Sequence, residues 1–307
     1  MKIQSCLLIL FVSAHFLTGC TKDPVYNKVP VVNAGTDQTI TLPTNSITTS
    51  GSASDADGEI VSYLWSQVSG PSAATIVNPG SASAEIDELV EGTYVFQLMA
   101  TDDDGATGVK TVSVIVKPSP EKTLTLQPSN NPDEKLLVTV GGADYSFAGG
   151  NEYTVDAWTV SAAPYYAREI VKFDLSTVPA NSVVKSAHLY LYSNTPPENG
   201  NFIDANFGTD NSLLLQQIIS SWTTAAANWS NQPTVSTANQ IEIPHTNQSV
   251  LDIDINVTDM VGSMISSNNY GFLLRLKSEV IYSSRMFVSS FNAAKAEKHP
   301  KLVITYQ

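Results

Sequence analysis

The chain has 307 residues, of which only 15% are charged, and a formal net charge of -13. That length accommodates two domains with cores of their own, and the acidic balance excludes a nucleic-acid partner, which needs a clustered basic footprint. Thr, Ser, Val, Asn, Gly and Pro dominate and no apolar helical period is sustained over several turns, so the chain reads as all-β.

At the amino terminus, Met1-Lys2 precedes an apolar run from Leu7 to Leu17, and Leu17-Thr18-Gly19-Cys20 places small residues ahead of a cysteine. Residues 1–19 read as a signal peptide, because the apolar run is shorter than the roughly 20 residues of a membrane-spanning helix. The Leu-x-Gly-Cys ending resembles the bacterial lipobox, which implies cleavage before Cys20, acylation of its thiol and a tether over residues 20–29. A plain secretory signal is the alternative. Thr21-Lys22-Asp23 resembles the charged export tag of Bacteroidetes lipoproteins, which implies a lipid anchor in the outer membrane, exposed at the cell surface. Cys6, the only other cysteine, lies in the segment to be removed, so the mature body offers no disulfide, thiolate catalyst or Cys-ligated zinc.

Residues 30–117 carry eleven acidic and two basic side chains and four expected strands, Gln38 to Leu42, Ile60 to Gln67, Thr93 to Thr101 and Gly108 to Val116. Such spacing, with turn residues between, suggests a sandwich. Three segments carry a family resemblance: Asn33-Ala34-Gly35-Thr36-Asp37, Asp55-Ala56-Asp57-Gly58 followed by Tyr63-Leu64-Trp65, and Asp102-Asp103-Asp104-Gly105. Together they resemble the PKD domain, an immunoglobulin-like sandwich, which implies that Trp65 is the core tryptophan of its strand. Alternation puts Tyr63 and Trp65 on one face and Leu64 on the other. Asp55, Asp57, Asp102 and Asp104 converge at one end of such a sandwich, and two readings stay open. They hold Ca2+, an optional ion here since no cofactor is required, or they are turn formers bonded to local backbone amides.

Pro118-Ser119-Pro120-Glu121-Lys122 falls in an extended linker over residues 118–123. Beyond it, in residues 124–307, strands are expected at Leu124 to Leu126, Arg168 to Phe173, Val183 to Tyr192, Ser249 to Ile255, Phe272 to Leu276 and Lys301 to Tyr306, with a short helix within Val257 to Ile265. Ile170-Val171-Lys172-Phe173-Asp174-Leu175, Val184-Lys185-Ser186-Ala187-His188-Leu189, Trp222, Trp229-Ser230-Asn231-Gln232-Pro233, Asp254-Ile255-Asn256-Val257 and His299-Pro300-Lys301-Leu302 follow one another in an order and spacing that resembles the DNRLRE domain. That domain, also grouped as carbohydrate-binding module family 96, is a β-jelly roll. The resemblance implies binding of polysaccharide, with alginate, an acidic polymer, as the ligand class. Two departures bear on the site: Phe291 stands where a glutamate commonly follows Ser289-Ser290, and residues 194–211 form a polar, Asn-rich, insertion-like loop.

The residues themselves offer an anion site. Only three arginines occur, Arg168, Arg275 and Arg285, all in expected strands of this second domain. Alternation turns Arg168 with Lys172, and Arg275 with Lys277, away from the apolar face. On neighbouring strands they would form a basic stripe whose guanidinium forks suit carboxylates; the competing reading is surface ion pairs with Glu169, Glu279 or Asp174. Tyr282, Tyr165 and Tyr166 are candidate sugar platforms, whereas Trp222 and Trp229 fit core packing better. The chain lacks a Gly-x-Ser-x-Gly elbow, a His-Glu-x-x-His motif and a phosphate-binding glycine loop. The expectation is a binding protein and not an enzyme, with an adhesive protein or a polysaccharide lyase or hydrolase as the rivals.

Overall fold

The structure is a computed structural model that describes residues 26–147 and 150–307. The signal-peptide and lipidation expectations, Cys20 included, lie outside the described residues. The chain divides into two compact units, one ending at Ser119 and the other running from Pro120 to Gln307. It is almost entirely β, as expected.

In the first unit, the strand Gly92–Asp102 buries alternate residues, so Tyr94, Phe96, Leu98 and Ala100 all point into the core. It is central to a four-stranded sheet ordered Gln38–Thr41, Thr107–Lys117, Gly92–Asp102, Ile60–Ser69. A three-stranded sheet of Ile47–Thr48, Glu85–Asp87 and Thr75–Val77 closes the same core with Ile47 and Ile86. This is the immunoglobulin-like sandwich the sequence led us to expect. Trp65 is 2% exposed in that core and its indole Nε1 donates to the Ala82 carbonyl at 3.1 Å, while Leu64 faces outward. Gly51 makes the close fit around the indole possible: a Cβ there would stand 2.4 Å from Leu98 Cδ2 and 2.6 Å from the Ala82 carbonyl oxygen.

The second unit is a jelly-roll sandwich. One sheet has the order Lys122–Leu126, Lys301–Tyr306, Val184–Leu191, Ile253–Asn256. The other is larger and curled, with the order Asn206–Phe207, Ser283–Val288, Glu152–Val160, Ala163–Val171, Phe272–Leu276, Leu213–Ile218, Val235–Ile243, and a hairpin of Glu134–Val140 and Ala143–Phe147 added to the strand Ala163–Val171. Leu189, Leu191 and Ile304 from the first sheet meet Val155, Leu215, Phe272, Leu274 and Phe287 from the second in one apolar core. The helix Thr258–Ser266 adds Met260, Val261 and Met264 to it. A smaller cluster of Leu137, Ile170, Ile218, Ala227 and Leu273 is capped by Trp222, whose indole donates to the Tyr270 carbonyl at 2.7 Å. That fits the packing role expected of Trp222.

The strands Glu152–Val160 and Ser283–Val288 are buried on both faces along most or all of their length. Tyr153, Val155 and Phe287 belong to the apolar core, so alternation turns Glu152, Thr154 and Asp156 the other way. Both oxygens of Asp156, one oxygen of Glu169 and the Tyr153 hydroxyl are buried without a hydrogen-bond partner among the described residues. Glu134, Glu152 and Glu169 border a small cavity of about 20 Å³ together with Phe291, the residue that departs from the family pattern. Burial, more than any neighbouring charge, raises the proton affinity of all four carboxyls, Glu134 up to about 7.

Candidate functional site

The strands that carry Arg168 and Arg275 are neighbours. Their register pairs Glu169 with Leu274 and Ile170 with Leu273, so the next step brings Arg168 opposite Arg275, and across the following strands Arg275 pairs with Leu214 and Leu214 with Glu242. Directly paired residues share a face. Phe272, Leu274 and Leu276 point into the main core, which leaves Arg168, Arg275 and Lys277 on the opposite face.

Each cation on that face has a distinct environment. Arg168 Nε donates to Glu279 Oε1 at 2.8 Å and Nη1 to Gln232 Oε1 at 3.0 Å, and its guanidinium lies 4.4 Å from the ring centre of Trp229. Trp229 in turn stacks on Tyr166, with 6.1 Å between ring centres. The turn Trp229-Ser230-Asn231-Gln232 therefore supplies both a lid and a ligand for Arg168. Arg275 donates from Nε to Gln216 Oε1 at 3.3 Å and from Nη1 to the Leu276 carbonyl at 3.0 Å. It has no carboxylate partner among the described residues, and burial first, then the charge of Arg168, holds its guanidinium below the ordinary arginine range. Lys277 pairs with Glu242 at 2.7 Å.

Lys172 stands at the end of the Arg168 strand, paired with Asp133 at 3.1 Å and 5.9 Å from the Trp222 ring centre. It borders a cleft of about 650 Å³ shared with Asp174, Met264 and Asn269. Three of the four cations are thus in the ion pairs that formed the competing reading, with Asp133 and Glu242 as unforeseen partners. Arg275 is the exception.

Arg285 does not lie on this surface. It is 0% exposed, its Nη1 reaches only the Pro244 carbonyl at 3.4 Å, and Nε and Nη2 have no partner among the described residues. Its strand is covered on both faces, so alternation could not turn it to solvent. Burial lowers its guanidinium to about 10. Tyr282 also stands apart from the arginine pair: its half-exposed ring packs edge-on against Trp158 at 5.1 Å. Tyr165 lies directly across from Trp158 on the paired strand, and burial raises its hydroxyl far above the usual phenol range. Trp158 and Phe207 carried no signal in the sequence, because their meeting joins segments far apart in the chain.

In the first unit Asp55 and Asp102 act as turn formers. Asp55 Oδ1 accepts from the amides of Asp57 and Gly58, both at 2.9 Å, and the Asp57 amide is the largest of the contributions that keep its carboxyl low. Asp102 Oδ1 accepts from the amides of Asp104 and Ala106, and its Oδ2 from the Asn27 side chain. Asp57 accepts from the Lys28 amide. Among the described residues, no group of three or more acidic, histidine or cysteine side chains is placed to hold a metal ion.

The profile of the K319L-like PKD domain matches residues 34–116, and that of carbohydrate-binding module family 96 matches residues 132–306. Both are non-catalytic modules. The first unit is similar to the dyslexia-associated protein KIAA0319-like protein of Mus musculus, 43% identical over 94 residues that make up 31% of this chain and 9% of that protein. Collagenase ColQ1 of Bacillus cereus (strain Q1) is 30% identical over 206 residues, 62% of this chain and 19% of the collagenase. The chain therefore spans less than a fifth of either relative. Among solved structures, the PKD domain from KIAA 1837 protein is 36% identical, covering 31% of this chain and 94% of that one, with a TM-score of 0.28.

Proposed function

The chain belongs to carbohydrate-binding module family 96 and carries a PKD domain ahead of that module, and from this we propose that it is a surface lipoprotein that captures an acidic, alginate-like polysaccharide without transforming it. The supporting observation is the juxtaposed pair Arg168 and Arg275. Arg168 is braced between Glu279, Gln232 and Trp229, while Arg275 keeps Nη2 without a partner among the described residues. A fixed guanidinium beside one with a free Nη2 suits uronate carboxylates, because a charged N–H donor makes a short, strong hydrogen bond to a carboxylate oxygen. The half-buried Trp229 offers an apolar ring next to them for a sugar face. Lys277 and Lys172 add positive charge at the margins, offset by Glu242 and Asp133.

Affinity electrophoresis of the full chain through gels containing alginate, pectin or neutral glucan tests this reading. Acidic polymers should retard the protein and retardation should weaken with salt, since exposed charges are screened beyond roughly 8 Å at physiological ionic strength. Changing Arg168 and Arg275 together to Gln should lower the affinity about tenfold or more, because a hydrogen bond to a charged group contributes about 1.5–3 kcal/mol. Equal retardation of the variant, or none of the wild type by an acidic polymer, would refute the site.

Anchoring follows from Leu17-Thr18-Gly19-Cys20 and is tested separately. Labelled palmitate should enter the wild-type protein in the membrane fraction and not the Cys20→Ser variant; label in both would remove the lipid anchor from this reading. The PKD domain then acts as a spacer that holds the module away from an outer-membrane lipid, and the tether raises local concentration near the polymer.

A further inference from the structure

A second cleft, of about 580 Å³, opens where the loop 194–211 meets the turn ahead of Ser283–Val288, and Asn206, Phe207, Thr246, Asn247 and Tyr282 line it. That volume lies inside the roughly 300–1,000 Å³ range of small-molecule sites. None of its lining residues is an arginine or lysine, and the single carboxylate at its rim is Asp204. We infer that this cleft is a second carbohydrate site, one that takes a neutral pyranose, independent of the arginine pair.

Five features of the geometry support this. The Tyr282 ring is 53% exposed yet fixed, edge-on to Trp158 at 5.1 Å with an interplanar angle of 86°, while Phe207 braces the same indole at 5.8 Å. A flat ring held this way packs against the apolar face of a pyranose and leaves the sugar hydroxyls free to hydrogen-bond. The backbone is strained to present it: Tyr282 sits at φ 72°, in the left-handed region that side chains avoid, and its amide is locked to the Ala157 carbonyl at 2.7 Å. Strain of this kind concentrates at ligand sites.

The loop side is equally built. Gly208 lets the loop close on the tyrosine, since a Cβ there would lie 2.6 Å from both the Tyr282 carbonyl and Ser283 Cα. The start of the loop is clamped by Glu152, whose carboxylate accepts from Asn194, from the Glu198 amide and from Asn199 at 2.8–2.9 Å. Asn206 is 5% exposed; its Nδ2 donates to the Gln248 carbonyl at 3.1 Å, but its Oδ1 has no partner among the described residues. A buried carbonyl left over in this way accepts a hydroxyl proton, the group a neutral sugar supplies in abundance. The insertion-like loop that departs from the family pattern is the segment that makes this cleft.

Isothermal titration calorimetry of the full chain against cellohexaose, mannohexaose, xylohexaose and laminarihexaose tests the inference. At least one neutral hexaose should bind, with an affinity unchanged by raised salt and unchanged in the variant in which Arg168 and Arg275 are both Gln. Tyr282→Gly removes the ring while suiting the left-handed backbone, so it should keep its thermal midpoint and lose tenfold or more in affinity; Asn247→Ala, at an exposed position, should weaken binding with the fold intact. Binding of none of the four, or unaltered binding by Tyr282→Gly, overturns the inference. Retention on alginate would be untouched by either result, so the two sites are judged apart.

Discussion

Trp65→Ala should destabilise the first unit by about 3–5 kcal/mol, the usual cost of emptying a large aromatic position in a core. The indole is among the largest fully buried side chains of the chain, and its neighbours have little room to collapse into the space it would leave. Gly51 has no side chain to offer, and Leu98 and Ile86 are already fully buried. The Ala82 carbonyl would also lose its indole donor. Each unit has its own core, so calorimetry of the full chain should move one transition and leave the other in place. A single shared transition, or a shift below about 1 kcal/mol, would show that the indole is not the keystone its burial implies.

Trp65 was legible because the PKD resemblance implied a core tryptophan there and alternation agreed, with Tyr63 and Trp65 on one face, Leu64 outward and the Asp57-Gly58 turn ahead of the strand. The strand Lys301–Tyr306 and the helix Thr258–Ser266 were legible from the same kind of pattern, with one face buried and the other more open. The strands Glu152–Val160 and Ser283–Val288 were not. Their alternation is real, but the polar phase, Glu152, Thr154, Asp156 and Ser284, is as buried as the apolar one. Composition alone gives no sign that a second layer will cover such a face.

The same difference governs the candidate sites. Alternation turned Arg168, Arg275 and Lys277 away from the main core correctly, because the second cluster that covers part of that face leaves these positions half-buried or exposed, and it failed for Arg285, whose strand is buried throughout. The acidic turns of the first unit were open to two readings because an Asp-Gly turn and a calcium loop use the same residues; the hydrogen bonds from the amides of Asp57, Gly58, Asp104 and Ala106 to Asp55 and Asp102 fit the turn reading. Trp158, Phe207 and Tyr282 meet through tertiary contacts that no local window contains.

The buried polar phase has a measurable consequence, since the second unit should become less stable as pH rises from 5 to 8. Glu134 in the unfolded chain loses its proton near 4.5, whereas burial holds the folded carboxyl protonated up to about 7. Between those values unfolding releases a proton, so the stabilisation is fully present below 4.5 and is lost as pH climbs through about 7. At about 1.4 kcal/mol per tenfold in proton affinity, Glu134 alone accounts for about 3 kcal/mol, or about 6–12 °C in the midpoint of a unit this size. Glu152, Asp156 and Glu169 are raised for the same first cause, so they act in the same direction and extend the loss to higher pH. Glu134→Gln keeps an oxygen to accept from the Ser290 amide, as the carboxylate does at 3.2 Å, and removes the titration. Its midpoint should match the wild type near pH 5 and exceed it near pH 8; a wild-type midpoint that is flat or rises over that range would mean these carboxyls are charged and hydrated in the folded protein.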